Sequence, residues 1–214
     1  MEIKGMERIY YFTDFILRMV YLNILAIIFT IAGGVVFGFF PAIVATFSIS
    51  RKWLMGYSDI KITKNFWLFY KKEFVRSNVV GWILIVLGSL LFVNLSIAEI
   101  VNQAIIQASY YLILTVFLLF SSACLFIFPI YLHYKTSIPA IFKHACLLLF
   151  VHPINTLMLI GAVILYHYVM TILPGLIPFF SISLFSILVM FFSLRTFHRL
   201  GDSPSLDWDS PSLD

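Results

Sequence analysis

The sequence has little charge and very few acidic residues. Of its 214 residues, 62% are hydrophobic and 11% are charged, whereas a soluble domain carries roughly 25% charged residues. Between residues 15 and 200 the acidic residues are Asp59, Glu73 and Glu99. This composition excludes an ordinary soluble globular protein, because most of the surface must face lipid. We therefore expect an integral membrane protein.

Motifs for catalysis and cofactor binding are also missing from the sequence. It contains no Walker A loop, no GxSxG or HExxH motif and no paired carboxylates, and the three acids above fall in predicted loops or interfaces. We expect no enzyme, no cofactor and no metal site. The two cysteines, Cys124 and Cys146, lie in apolar segments without the spacing of metal ligands, so we predict buried free thiols.

Apolar runs separated by short polar loops predict an all-α membrane protein with a bundle of about six transmembrane helices. The predicted spans are 15–32, 35–50, 79–95, 110–132, 153–172 and 179–194. The first pair is predicted to form a tight hairpin at Gly33 and Gly34. Because its second arm is short and contains Pro41, that arm either crosses fully or is broken and re-entrant. His152 and Pro153 predict a kink or break before the fifth span.

The segment 51–76 holds half of all Lys and Arg residues. Helical spacing of apolar and aromatic residues within it predicts a cytoplasmic interfacial amphipathic helix at about 62–76. The same segment is predicted to contact a partner or lipid, since aromatic anchors beside basic residues are typical of docking surfaces. The predicted contact residues are Arg51, Lys52, Trp53, Phe66, Trp67, Lys71, Lys72, Phe74 and Arg76. A basic loop that sets topology and binds lipid explains the same residues, so both alternatives stay open.

The distribution of positive charge predicts the orientation. With six spans, all Lys and Arg residues fall on one side, and the loops 33–40, 96–108 and 173–178 contain none. The positive-inside rule then places both termini in the cytoplasm. The net charge of +4 therefore indicates membrane orientation, and no nucleic-acid partner is expected.

Polar side chains inside the predicted spans form a second group of candidates, because such residues often line solute pathways. They are Ser121, Ser122, His152, Asn155 and His167. The alternative is a structural role, in which these side chains satisfy backbone groups or lie at the membrane interface. Asn23 and Asn94 are predicted to form hydrogen bonds between helices.

Residues 1–200 are predicted to form a single membrane-embedded helical domain. The tail 201–214 repeats the hexamer DSPSLD around one tryptophan, and its acidic, Pro- and Ser-rich composition predicts disorder. Both a natural and an artificial origin fit this repeat.

Most of residues 8–200 resembles the bacterial YesL-type family, also called the domain of unknown function 624 family, and the specific part of the resemblance is 38–76. The residues that carry the resemblance are Gly38-x-x-Pro41-Ala42-x-x-Ala45, Arg51-Lys52-Trp53-x-x-Gly56 and Phe66-Trp67-x-x-x-Lys71-x-x-Phe74. Members are small multi-span proteins whose genes tend to lie beside binding-protein-dependent sugar importers. The resemblance implies a multi-pass protein of the bacterial plasma membrane, and it carries over no catalytic residues.

The function implied by this resemblance is that of an accessory membrane protein associated with carbohydrate uptake, docked on the permease subunits of a sugar importer. The first alternative is a small stand-alone solute transporter or channel, as kinked spans with polar residues suggest. The second alternative is a structural or regulatory membrane adaptor.

Overall fold

The described part of the chain consists of helices joined by short connections. The computed structural model describes residues 2–57, 59–100, 104–134 and 136–199, with the backbone alone at 2–9, 99–100 and 104–108. These residues contain seven α-helices, one short 3-10 helix at Pro174–Leu176 and no strand. The α-helices are α1 Glu2–Ala32, α2 Val36–Leu54, α3 Ile62–Ile100, α4 Ala104–His133, α5 Ile138–Val151, α6 Pro153–Ile172 and α7 Ile177–Arg199. The predicted all-α class is confirmed.

Five stretches in the described residues are long and apolar enough to cross a membrane. They are Tyr10–Ala32, Ile62–Ala98, Ser109–His133, Pro153–Ile172 and Pro174–Arg199. The chain is therefore a multi-pass membrane protein. Helix α2 is not among the five, because its last turn carries two basic residues that lower its hydropathy.

Helix α2 nevertheless runs back along α1. At one end the two helices meet at Gly33 and Gly38, where a Cβ atom on Gly33 would lie 2.5 Å from the Cα atom of Gly38. Near the other end the rings of Phe15 and Trp53 are 5.8 Å apart. Eighteen residues of α1 separate these two contacts, which is about 27 Å at 1.5 Å per residue. α2 thus lies beside the last 18 residues of the 31-residue helix α1, and it continues through Pro41 without a break.

Burial explains how α2 can contain polar and basic residues in a membrane protein. Thirteen of the 19 residues of α2 are buried, so protein and not lipid surrounds most of its surface. Its polar hydroxyls bond to its own backbone: Thr46 donates to the carbonyl of Ala42 at 2.8 Å and Ser48 to that of Val44 at 2.9 Å. These bonds remove the cost of unpaired polar groups in an apolar environment.

The predicted amphipathic helix at 62–76 is not a separate element. It forms the first part of α3, which continues without interruption through the next span to Ile100. Glycine and proline, the residues that break helices, are absent between residues 62 and 80, and Ser77 and Asn78 are buried within the helix. The charged residues at 71–76 therefore mark the place where the surroundings of α3 change from polar to apolar. They do not mark an end of the helix.

The predicted break at His152 and Pro153 is confirmed. α5 ends at Val151 and α6 begins at Pro153, since proline cannot donate the next helical hydrogen bond. Ser137 lies at the N-cap of α5 without a side-chain cap bond. The predicted tail at 201–214 lies outside the described residues.

The chain divides into two compact units. The first comprises Met1–Phe74 and Gly161–Phe191, and the second comprises Val75–Ile160 and Phe192–Asp214. In the first unit, α1, α2 and the first turns of α3 pack with the beginning of α7. In the second unit, α4 packs against α5.

Candidate functional site

An aromatic cluster fixes the first turns of α3 to α1. The ring centroid of Phe29 lies 5.2 Å from that of Phe66, 5.5 Å from that of Trp67 and 5.2 Å from that of Tyr70. Tyr70 also packs edge-on against Phe74 at 5.6 Å. The hydroxyl of Tyr70 donates a hydrogen bond of 3.0 Å to the carbonyl oxygen of Phe29. Packing of large rings plus this bond holds the start of α3 in one position.

Three of the predicted contact residues lie inside the protein. Arg51 is 3% exposed, Lys52 is 5% exposed and Phe66 is fully buried. The ammonium of Lys52 donates to the side-chain oxygen of Asn65 at 3.0 Å and lies 5.2 Å from the ring centroid of Phe69. The structure therefore removes Arg51, Lys52 and Phe66 from the predicted contact surface, because a partner cannot reach them.

The opposite side of the same helical segment is exposed. We call it the α3 exposed face, and it consists of Lys64, Trp67, Leu68, Lys71 and Lys72. Trp67 is 47% exposed and Leu68 51% exposed, and the ammonium of Lys71 lies 5.4 Å from the centroid of a Trp67 ring. Lys64 and Leu68 were missed by sequence reasoning, although their spacing of three to four residues from the other members signals a shared face.

Two further predicted contact residues are engaged within the protein. In the second unit, the guanidinium of Arg76 donates a hydrogen bond to the carbonyl oxygen of Thr136 and lies 4.9 Å from the ring centroid of Tyr131. In the first unit, Trp53 packs edge-on against Phe15. These contacts give both residues a structural role.

Two of the five predicted intramembrane candidates bond to their own helix. Ser121 donates to the carbonyl of Phe117 and Ser122 to that of Leu118, each at 2.8 Å. The side chain of His167 is exposed on α6. For the two serines, the structure fits the alternative in which hydroxyls satisfy backbone groups.

The helix break between α5 and α6 brings polar groups together. Asn155 is 2% exposed and donates a hydrogen bond of 3.3 Å to the hydroxyl of Thr196. The Nε2 atom of His152 is buried and has no hydrogen-bond partner among the described residues. Thr156 donates to the carbonyl oxygen of His152 at 3.2 Å. Of the predicted intramembrane candidates, His152 and Asn155 are thus the pair that one helix break places together.

Hydroxyl groups also join α2 to α7 in the first unit, which sequence reasoning missed. The hydroxyls of Ser50 and Ser186 lie 2.7 Å apart and are both fully buried. Ser186 also donates to the carbonyl oxygen of Ser183 at 2.8 Å. The sequence signal for this contact is a serine within an apolar helix. Many serines of the chain fit that description, so the signal does not identify the pair.

The described residues contain no group of three or more His, Cys, Asp or Glu side chains that could hold a metal ion. Both cysteines are free thiols, and Cys124 is half-buried whereas Cys146 is exposed. The prediction of a buried thiol is wrong for Cys146, because an apolar helix in a membrane also exposes apolar positions to lipid.

Comparison with known proteins identifies the family. The family described as "Protein of unknown function, DUF624" matches residues 19–95. The uncharacterized protein YteU of Bacillus subtilis (strain 168) is 32% identical over 187 residues, which cover 87% of this chain and 84% of YteU. The chain belongs to the DUF624 family.

Two further DUF624-like relatives from the same organism show similar agreement. The uncharacterized protein YesV is 34% identical over 194 residues, covering 90% of this chain and 93% of YesV. The uncharacterized protein YesL is 30% identical over 196 residues, covering 89% of this chain and 90% of YesL. No solved structure matches the chain significantly.

The DUF624 match covers one of the two groups of candidates. The turn of the helical hairpin, the whole of α2, the aromatic cluster and the α3 exposed face all lie within residues 19–95. The intramembrane candidates, which lie on α4, on α6 and at the break between α5 and α6, are beyond it. The specific part of the resemblance, residues 38–76, thus falls inside the part of the chain that matches the DUF624 family.

Proposed function

We propose that this DUF624 protein is an accessory, non-catalytic membrane protein associated with carbohydrate uptake, and that it docks on the permease subunits of a binding-protein-dependent sugar importer. The association with carbohydrate comes from the family resemblance. The docking role comes from the geometry of α3.

The α3 exposed face is the observation that carries the docking proposal. Trp67 and Leu68 are about half exposed between Lys64 on one side and Lys71 and Lys72 on the other. Large apolar side chains ringed by positive charge are typical of protein contact sites, in which aromatic residues supply most of the binding energy. The aromatic cluster on the buried side holds this face in place, so little entropy is lost on binding.

The proposed orientation in the bacterial plasma membrane places the α3 exposed face and both termini in the cytoplasm. The turns at 33–35 and 173–176 contain no Lys or Arg, whereas 51–76 contains seven. The return of α2 along about 27 Å of α1 supports six crossings, and an even number brings both termini to one side.

The experiment is affinity purification from native membranes in mild detergent. The test variant combines Trp67→Ala, Lys71→Ala and Lys72→Ala. The matched control combines Tyr111→Ala and Lys143→Ala, which likewise remove an exposed aromatic residue and an exposed lysine. We expect permease subunits to co-purify with wild type and control and to be lost with the test variant. Recovery of no permease subunit with wild type would refute the docking role.

A second candidate function is solute transport by the protein alone. The break between α5 and α6 favours it, because interrupted helices with buried polar groups form the binding sites of many transporters. Here the break carries the buried Asn155 and the buried Nε2 atom of His152. Flux of a panel of sugars into liposomes containing the purified protein tests it, with Asn155→Ala as the variant. Flux no higher than in empty liposomes excludes this candidate.

A further inference from the structure

The second half of α3 is the least covered span of the described chain. Of the most apolar stretch of α3, 11% is buried, against 22–28% in the other four candidate spans. No residue from 82 to 97 is buried. Lipid or another protein helix must cover this surface.

A regular stripe of large side chains lies on this surface. Leu87, Leu90, Asn94 and Ile97 follow each other at intervals of three, four and three residues, and we call them the α3 seam. All four are exposed, with Leu87 at 40%, Leu90 at 55% and Ile97 at 55%. This spacing is that of the a and d positions in a coiled coil, where two helices pack side by side.

Within the second unit, α3 packs against α4 through a face other than the α3 seam. A Cβ atom on Gly88 would lie 3.4 Å from the ring of Phe120 on α4. Gly88 follows Leu87 by one residue and is therefore about 100° away around the helix. The α3 seam thus remains open when α3 and α4 are packed together.

Asn94 gives the α3 seam its specificity. Its amide nitrogen donates to the carbonyl of Leu90 in the same helix at 2.7 Å. Within the described part of the chain, its amide oxygen accepts no hydrogen bond. Asparagine side chains on transmembrane helices form hydrogen bonds across helix pairs. At an a position, asparagine also fixes the register and number of helices.

We propose that the α3 seam packs against the α3 seam of a second copy of this chain, with the two Asn94 amides paired. Two copies inserted in the same orientation place Asn94 at the same depth, so the two side chains meet across a two-fold axis. The amide is complementary to itself in charge, since its N–H group is partially positive and its carbonyl oxygen partially negative. A different protein would need its own polar residue at this depth. The proposal does not depend on the docking function proposed above.

The first test is site-directed disulfide cross-linking in vesicles of phosphatidylethanolamine and phosphatidylglycerol. Leu90→Cys, in the α3 seam, is compared with Ile85→Cys, which is 47% exposed on another face of the same helix. Both are placed in a background of Cys124→Ser and Cys146→Ser. An oxidant is expected to give covalent dimers of Leu90→Cys and monomers of Ile85→Cys. Equal cross-linking of the two variants, or none in either, overturns the proposal.

The same pair of variants in native membranes separates the possible occupants. A band of twice the monomer mass supports a second copy. Cross-linking of Leu90→Cys exclusively to a different protein overturns the proposal, because that protein then covers the α3 seam.

The second test measures association in the same vesicles by energy transfer between labelled copies. Removing an interhelical amide bond weakens helix association by roughly 3- to 20-fold. We expect this loss for Asn94→Ala and near wild-type association for Asn94→Gln, which retains the amide. Thr115→Ala is the control, since Thr115 is likewise exposed and bonds to its own helix at Tyr111. If the Asn94→Ala variant associates as strongly as wild type, the proposed pairing of the two Asn94 amides is overturned.

Discussion

The side-chain amide nitrogen of Asn23 donates a hydrogen bond of 2.7 Å to the carbonyl oxygen of Pro178, which joins α1 to the first turn of α7. The amide oxygen of Asn23 accepts the N–H groups of Ile182 at 2.8 Å and Ser183 at 3.2 Å. Asn23 is fully buried, so water cannot replace these bonds. One side chain thus satisfies a carbonyl and two N–H groups of another helix.

Replacing Asn23 by alanine is expected to lower the free energy of unfolding by about 2–3 kcal/mol, because three backbone groups of α7 lose the hydrogen bonds of a fully buried side chain. The measurement is unfolding in mixed detergent micelles followed by circular dichroism. Thr115→Ala, which removes an exposed hydroxyl bonded within its own helix, is expected to change the free energy by less than about 0.5 kcal/mol. Equal effects of the two changes would contradict the bridging role of Asn23.

Asn23 also shows how far sequence reasoning reached. An isolated amide in an apolar run predicts a bond to another helix, and that prediction is confirmed. Its partner lies 155 residues away, and no local pattern identifies it. Asn94 received the same prediction, yet it bonds to Leu90 in its own helix.

The charged residues were harder to place. Arg51 and Lys52 were predicted at a contact surface because basic residues beside aromatic anchors are typical of docking surfaces. The structure buries Lys52 against Asn65 and the ring of Phe69, and these contacts arise from a segment beyond the next loop. The helical structure of 62–76 was predicted correctly. Its continuity with the following span was missed, because the charged residues suggested a separate helix at the membrane interface. Hydropathy follows the membrane boundary, whereas helix ends follow glycine, proline and capping residues.

The hairpin between α1 and α2 predicts a strong effect of single methyl groups. Alanine at Gly38 would place its Cβ atom against the carbonyl oxygens of Thr30 and Phe29, which are fixed backbone atoms. We expect Gly38→Ala to cost about 3 kcal/mol or more, since overpacking a rigid contact commonly costs 1–3 kcal/mol. The yield of folded protein and its thermal midpoint in detergent measure this effect.

Gly161→Ala is the matched control for this change. No atom lies within 4 Å of a Cβ atom on Gly161, which is inside helix α6. Alanine is expected to stabilise that helix by up to about 1 kcal/mol. If Gly38→Ala changed the stability as little as Gly161→Ala does, α1 and α2 would not be in close contact at Gly38.

The hydroxyl pair Ser50 and Ser186 predicts a measurable coupling between α2 and α7. A double-mutant cycle with Ser50→Ala and Ser186→Ala is expected to give a coupling energy of about 0.6 kcal/mol, the average for hydrogen bonds between transmembrane helices. Ser121→Ala with Ser122→Ala serves as the reference cycle, since each hydroxyl bonds to its own backbone. That cycle is expected to give a coupling near zero. Additive effects of Ser50→Ala and Ser186→Ala would contradict a bond between them.

Arg76 and Lys71 separate structural from contact roles along α3. Arg76 donates to the carbonyl oxygen of Thr136 and lies over the ring of Tyr131, so Arg76→Ala is expected to lower the free energy of unfolding by about 1–2 kcal/mol. Lys71 is exposed, and Lys71→Ala is expected to change it by less than about 0.5 kcal/mol.

Unfolding in mixed micelles measures both effects, and affinity purification of the same variants measures docking. We expect Lys71→Ala to weaken docking while leaving stability unchanged. If Arg76→Ala instead left stability unchanged and abolished docking, Arg76 would be a contact residue, as the sequence alone predicted. The contacts with Thr136 and Tyr131 would then contribute nothing to the fold.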